Sequence, residues 1–125
     1  MDQGIKPWAT LYHWDLPHEL KDKGGWTNRS ILDWFSFYVD FCTKECDTKL
    51  CNWMVMNEPM SFIGLGYFTG QHAPGKIRLK KFLPSAHYAT LCLAIGGRIV
   101  REIIFRSLYW NNVFLFSCKL LKIIF

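Results

Sequence analysis

The chain has 125 residues, of which 50% are hydrophobic, 17% aromatic and 20% charged. This composition excludes a disordered chain, because disordered chains are poor in aromatic residues and rich in charge. The length supports one small core but not a complete (β/α)8 barrel, which needs ~250 residues. The net charge of +5 is uneven: residues 1–75 contain 6 basic and 9 acidic residues, whereas residues 76–125 contain 9 basic residues and 1 acidic residue.

The first predicted element is a buried β-strand over residues 8–12. This segment is short, aromatic and apolar, and prolines bound it at both ends. Such runs are typical of buried strands. The polar residues His13 and Asp15 follow directly, so we expect functional groups at the carboxyl end of this strand.

An amphipathic helix is predicted next, after a turn at Lys23-Gly24-Gly25. Thr27 or Asn28 provides a suitable N-cap. Apolar residues then recur at helical spacing, at Ile31, Phe35, Tyr38, Cys42 and Cys46. The spacing predicts a helix that ends near residues 46–47.

A second strand is predicted over residues 52–56, whose sequence is apolar on both faces, as in parallel sheets covered by helices. The sequence Asn57-Glu58-Pro59 ends it. We expect a long loop over residues 61–81 and then a helix over residues 82–102. The alternation of strands and helices predicts an α/β fold with a parallel sheet.

The five cysteines are odd in number and include no Cys-x-x-Cys pair. We therefore expect reduced thiols, with neither a disulfide framework nor a zinc site. The N-terminus has no basic segment followed by an apolar run, so no secretory signal is predicted. Together these features favour a cytoplasmic location.

Two features of the second half of the chain allow alternative interpretations. Residues 103–125 are apolar but interrupted by charges, which makes them a weak candidate for a membrane span. The basic cluster, defined here as Lys76, Arg78, Lys80 and Lys81, is interpreted as a solvated loop, with binding of an anionic partner as the alternative. Nucleic acid is not expected, because no base-stacking pattern surrounds the cluster.

Candidate functional residues follow both predicted strands. His13 and Trp14 follow the first strand, and Asn57 and Glu58 follow the second. In parallel α/β folds, functional residues gather at these carboxyl ends. A carboxyl beside an amide, an imidazole and an indole suits proton transfer to a bound sugar. The residues alone also allow a structural histidine, a core tryptophan and a carboxyl that only caps or forms a salt bridge.

Beyond these residue types, several motifs resemble glycoside hydrolase family 1, the β-glucosidase-type retaining glycosidases on a (β/α)8 barrel. The motifs span roughly residues 3–102 in the order that the family shows. They are Gly4-Ile5-Lys6-Pro7, Thr10-Leu11-Tyr12-His13-Trp14-Asp15-Leu16-Pro17, Gly25-Trp26, Trp53, Asn57-Glu58-Pro59, Gly66-Tyr67, Gly70 and Ala73-Pro74-Gly75. The resemblance implies a partial barrel of about two βα units in residues 1–102, covering strand three to helix four, and leaves residues 103–125 unassigned.

The resemblance also implies roles for individual residues. Glu58 matches the family's acid/base catalyst, and Asn57 matches the residue that binds the sugar 2-hydroxyl. His13 and Trp14 match residues of the −1 sugar subsite. The implied substrate is a small β-glycoside, and no cofactor or metal is implied, because two carboxyls perform the chemistry. Tyr67, the Ala73-Pro74-Gly75 turn and His87 match positions that we interpret as structural.

The sequence departs from the family in one decisive respect. A retaining mechanism needs a second carboxylate, which the family supplies in a Thr-Glu-Asn-Gly-like motif on strand seven, and this sequence has no such motif. Asp15, Glu19 and Asp22 match no nucleophile position. We therefore expect a truncated chain, with Met1 internal to its ancestor, that is inactive alone. The alternative is a non-catalytic sugar- or anion-binding module. Sugar specificity and oligomeric state are not predicted.

Overall fold

A computed structural model describes residues 4–46, 50 and 52–110, with side chains as far as Phe105. This part of the chain contains two strands, four α-helices and one short 3-10 helix, η1. In chain order they are β1 (Trp8–Tyr12), α1 (His18–Asp22), η1 (Gly25–Thr27), α2 (Ile31–Cys46), β2 (Asn52–Met56), α3 (Pro59–Tyr67) and α4 (Leu79–Trp110). The α/β class and the predicted bounds of β1 and β2 are confirmed.

Strands β1 and β2 form a two-stranded parallel sheet. Trp8 pairs with Asn52 at one end, and Tyr12 pairs with Met56 at the other. The connection between the strands contains α2, as expected for a parallel crossover. Both strands therefore end at the same edge of the sheet, which brings the segments that follow Tyr12 and Met56 together.

The two faces of this sheet have different surroundings. Val55 faces α4 so closely that a Cβ built on Gly96 lies 2.6 Å from its Cγ1 atom. On the opposite face, Trp8 is 62% exposed and Met54 is 43% exposed. One face is thus packed against a helix, while the other exposes Trp8 and Met54 but buries Tyr12 and Met56 at its carboxyl end.

Helix α2 packs against α4. Two side-chain hydrogen bonds also hold it, one in the turn before the helix and one between the helix and β1. Before the helix, the side-chain oxygen of Asn28 accepts a 2.9 Å hydrogen bond from the backbone N–H of Ser30. Within the helix, the hydroxyl of Tyr38 donates a 2.6 Å hydrogen bond to the carbonyl of Leu11 in β1. The buried core joins these elements, and its members are Leu11, Tyr12, Trp26, Ile31, Phe35, Val39, Trp53, Met56, Phe62, Ile63, Tyr67, Ala89, Cys92 and Val100.

The loop predicted over residues 61–81 is shorter than expected at both ends. Helix α3 occupies its first part and α4 begins at Leu79, so the loop runs over residues 68–78. Pro59 occupies the first turn of α3. Backbone N–H groups there have no acceptor within the helix, so the absence of an N–H in proline costs no hydrogen bond. Gly66 lowers helix propensity but is required here, because a Cβ at this position would lie 2.6 Å from the carbonyl oxygen of Ala73.

Helix α4 is longer than predicted at both ends and continues through residue 102 without a break. Within residues 4–46, 50 and 52–110, no helix is long and apolar enough to cross a membrane. Residues 111–125, which carry most of the weak membrane-span candidate, lie outside the described residues. The division of the chain at residues 102–103 remains a prediction.

Candidate active site

The candidate site lies where β1 and β2 end. The backbone N–H of Asn57 donates a 2.9 Å hydrogen bond to the carbonyl of Tyr12, which extends the pairing one step beyond the last residue of β2. His13 and Trp14 follow Tyr12, and Glu58 follows Asn57. The four residues predicted from the sequence therefore emerge from adjacent strands at one edge of the sheet.

Trp14 links the two strand ends directly. Its indole Nε1 donates a 2.9 Å hydrogen bond to the carbonyl oxygen of Asn57. Its ring centroid lies 5.9 Å from that of His13 and 5.4 Å from that of His72. The side chain nevertheless remains 36% exposed, so part of the indole is free to contact a ligand.

Glu58 is exposed and occupies the N-cap position of α3. Its Oε2 atom accepts a 3.1 Å hydrogen bond from the hydroxyl of Ser61, and its carbonyl accepts a 2.9 Å bond from the Ser61 N–H. The carboxyl is thus held at one oxygen by a neighbouring side chain while the residue faces solvent.

Both strand ends are strained in the same way. Among the described residues, the non-glycine residues with positive φ are Trp14, at 74°, and Glu58, at 41°. The left-handed region costs a bulky side chain on the order of 1–3 kcal/mol, and such residues cluster at functional sites. Sequence reasoning placed Trp14 and Glu58 at this edge but had no means to predict their backbone conformation.

A buried aromatic cluster supports the end of β1. Trp26 Nε1 donates a 3.0 Å hydrogen bond to the hydroxyl of Tyr12, and the Tyr12 ring meets those of Trp26 and Phe62 edge to face at 5.0 Å. Burial raises the pKa of Tyr12 to about 12, and burial also raises the pKa of Tyr67. These phenols are therefore neutral near pH 7 and support the site rather than carry charge in it.

His72, which sequence reasoning did not select, lies beside the site. It belongs to the loop after α3, and its N–H donates a 3.1 Å hydrogen bond to the carbonyl of Leu65. The sequence signal that could have pointed to His72 is its position in a loop rich in glycine and aromatic residues. Its contact with Trp14 could not be predicted, because the two residues are 58 positions apart and meet only in the tertiary fold. His87, by contrast, is exposed on α4 beside Tyr88.

The carboxylates considered as substitutes for a nucleophile include Asp22 of α1. Asp22 lies on the surface, where its carboxylate is 3.0 Å from His18 Nδ1 and forms an ion pair of 3.2 Å with Lys21. Across the described ranges, His, Cys, Asp and Glu side chains do not assemble in groups of three or more that are able to hold a metal ion. The groups presented at the strand ends include the Glu58 carboxyl with amide, imidazole and indole neighbours, and the exposed carboxyl of Asp15 follows Trp14.

Several known proteins are similar in sequence to most of this chain. The chain is 36% identical over 102 residues to beta-glucosidase A of Thermotoga maritima, and 41% identical over 106 residues to beta-glucosidase 42 of Arabidopsis thaliana. These matches cover 82% of this chain but 23% and 21% of the relatives. Human lactase/phlorizin hydrolase is 47% identical over 74 residues, which are 59% of this chain and 4% of that protein.

Solved structures agree with these sequence matches. Family 1 β-glucosidase of T. maritima in complex with isofagomine lactam superposes with a TM-score of 0.80 at 36% identity, over 83% of this chain and 24% of the solved one. The complex of the T. maritima enzyme with glucoimidazole gives the same values. This chain thus spans about a quarter of the length of these relatives. Because the sequence model of glycosyl hydrolase family 1 matches residues 1–109, the chain belongs to that family.

Proposed function

We propose that this chain carries the acid/base half of a retaining β-glycosidase site, on about two βα units of an incomplete (β/α)8 barrel. The observation that carries the proposal is the pair of strained strand ends, where Trp14 and Glu58 both adopt positive φ. Strain of this kind persists only where surrounding contacts over-determine it, and it concentrates at functional sites. Membership of a family of glycosidases supports assigning sugar chemistry to this edge.

The proposed roles follow from the chemistry of each group. Glu58 is exposed to an incoming ligand, and a carboxyl of this kind protonates the glycosidic oxygen and later activates the hydrolytic water. The amide of Asn57 both donates and accepts, as a hydrogen bond to a sugar hydroxyl requires. The exposed part of the Trp14 indole offers an apolar face to a pyranose ring. The ring N–H of His13 can donate a hydrogen bond to a sugar hydroxyl.

The substrate proposed for the site is a small β-glycoside. Support comes from the ligands of similar structures, since the T. maritima β-glucosidase binds isofagomine lactam and glucoimidazole. A retaining reaction also requires a nucleophilic carboxylate about 5–5.5 Å from the acid/base carboxyl. The sequence has no counterpart of the motif that supplies it. We therefore propose that the chain binds the sugar weakly and does not hydrolyse it alone.

Two measurements test this function. The purified chain is expected to give no turnover of phenyl β-D-glucoside; turnover that Glu58→Gln abolishes would show that the chain has its own nucleophile. The acid/base role is tested in a chimera, in which residues 4–109 replace the matched segment of the T. maritima enzyme. There Glu58→Gln is expected to lower kcat/KM by about 10²–10⁴-fold. Glu45→Gln, an exposed carboxyl on α2, is the matched control, and equal activity of both variants would refute the role of Glu58.

The second candidate function is anion binding through the basic cluster. Its four side chains are exposed, and no acidic residue occurs between Glu58 and Glu102 to neutralise them. Salt-sensitive binding of heparin, together with indifference to glucosides, would favour this function over the glycosidase half-site.

A further inference from the structure

We propose that His72 is a positioning residue that holds the Trp14 indole in its sugar-facing orientation. The proposal rests on the function proposed above, since it gives Trp14 the task of contacting a sugar. His72 reaches the site from the loop over residues 68–78, whereas the other candidate residues lie at the ends of β1 and β2. It acts through Trp14 and is not assigned a contact with the reacting atoms.

The conformation of Trp14 explains why such a residue is needed. Its φ of 74° is unfavourable for an aromatic side chain, so other contacts must stabilise it. One is the hydrogen bond from Nε1 to the carbonyl of Asn57. The indole is also attached to the backbone through Cβ, so this bond restrains the ring at Nε1 and limits its two side-chain torsions. A second contact, elsewhere on the ring, resists motion of the indole when this bond opens.

His72 supplies that second contact. Its ring centroid lies 5.4 Å from the indole centroid at an interplanar angle of 51°, within the range of favourable aromatic pairs. The ring of His13 also lies near, at 5.9 Å, but it belongs to the adjacent residue and shares the backbone whose strain must be offset. His72 is separated by 58 residues and is therefore an independent support.

The loop that carries His72 is itself anchored to α3. The N–H of His72 donates to the carbonyl of Leu65, and the N–H of Lys76 donates to the carbonyl of Gly66 over 2.8 Å. The loop approaches so closely that a Cβ at Gly66 would lie 2.6 Å from the Ala73 carbonyl oxygen. Because α3 begins directly after Glu58, the same helix positions both the carboxyl and the loop that supports Trp14.

The test uses the full chain and the Nε1–H resonance of Trp14 in ¹H–¹⁵N spectra, identified by its loss in Trp14→Phe. His72→Phe keeps a ring, and His72→Gln keeps hydrogen-bonding capacity without a ring. We expect the resonance in His72→Gln to shift and its hydrogen exchange to accelerate several-fold, whereas His72→Phe stays close to wild type. His87→Ala is the matched control, because His87 also pairs with an aromatic ring but lies on α4.

Titration with phenyl β-D-glucoside adds the functional readout. The dissociation constant is expected to rise about fivefold in His72→Gln, which corresponds to about 1 kcal/mol, and to stay near the wild-type value in His72→Phe. An unchanged resonance and affinity in His72→Gln, or equal losses in both variants, would overturn the positioning role. If the wild-type chain binds no glucoside, the proposed function fails, and the sugar-free Trp14 resonance still decides whether His72 positions the indole.

Discussion

Trp26 Nε1 donates a hydrogen bond of 3.0 Å to the hydroxyl of Tyr12 inside the core. Trp26 is 2% exposed and Tyr12 is 6% exposed, so water does not replace either partner. Tyr12 is the last residue of β1 and precedes His13 and Trp14. The bond therefore joins η1, which contains Trp26, to the strand end that presents the candidate site.

Tyr12→Phe tests this bond. The substitution keeps the aromatic ring but leaves the buried indole N–H without its acceptor, which costs about 1–3 kcal/mol. We expect the free energy of unfolding in urea to fall by that amount, with the slope on denaturant unchanged. Tyr88→Phe, at a half-buried tyrosine on α4, is the control. Equal stability of the Tyr12→Phe and wild-type chains would show that the bond contributes nothing net.

The stability of the fold should also decrease at alkaline pH. Burial raises the pKa of Tyr12 from 10.0 to about 12, so the unfolded chain loses its proton at lower pH than the folded chain. The stabilisation is complete below pH 10 and is lost as pH rises through 12. Two pKa units correspond to about 2–3 kcal/mol.

Urea unfolding between pH 9 and 12 measures this loss, and absorbance at 295 nm follows phenol ionisation. The Tyr12→Phe chain is the comparison, because it lacks the titrating group and should lose less stability over the same interval. Identical pH profiles for the two chains would contradict the assignment to Tyr12.

Elements that form a bounded apolar run or an apolar helical stripe could be predicted from the sequence. The residues of β1 and β2 match the prediction, and α2 ends at Cys46 as its apolar stripe indicated. Helix α3 was missed because Gly64 and Gly66 weaken its local propensity. Its stability depends instead on tertiary packing, since Phe62 and Ile63 are buried in the core.

The site was predictable in part. Local sequence placed His13, Trp14, Asn57 and Glu58 at two strand ends, and the parallel pairing brings these ends together. The positive φ values of Trp14 and Glu58, and the contact of Trp14 with His72, arise from contacts between distant segments. No local pattern encodes them, and the catalytic roles of the four residues remain predictions.

Cys92 should be the least reactive of the cysteines whose surroundings the structure describes. It is fully buried, and burial raises the pKa of its thiol to about 12, whereas Cys42 and Cys46 are half-buried. Because the thiolate is the nucleophile, iodoacetamide at pH 8 is expected to label Cys42 and Cys46 well before Cys92. Peptide mass spectrometry measures the order. In urea the difference should disappear, and its persistence there would mean that folding is not the cause.

Adjacent glycines in α4 provide the sharpest test of packing. A Cβ at Gly96 would lie 2.6 Å from Val55 Cγ1 and 3.2 Å from Phe35 Cε1, whereas a Cβ at Gly97 meets no atom within 4 Å. Val55 is β-branched and held in a strand, so it yields little space. Gly96→Ala is therefore expected to lower the free energy of unfolding by about 1–3 kcal/mol.

Gly97→Ala is expected to raise the free energy of unfolding by about 0.5–1 kcal/mol, because alanine favours the helix and nothing obstructs its methyl group. Both variants replace glycine by alanine at neighbouring positions of one helix, so the gain in helix propensity is the same in each. A difference in their free energies of unfolding therefore reports on packing. Urea unfolding of the two chains beside wild type measures the opposite signs. If both alanines stabilised the chain, α4 would not approach Val55 and Phe35 as closely as the structure has it.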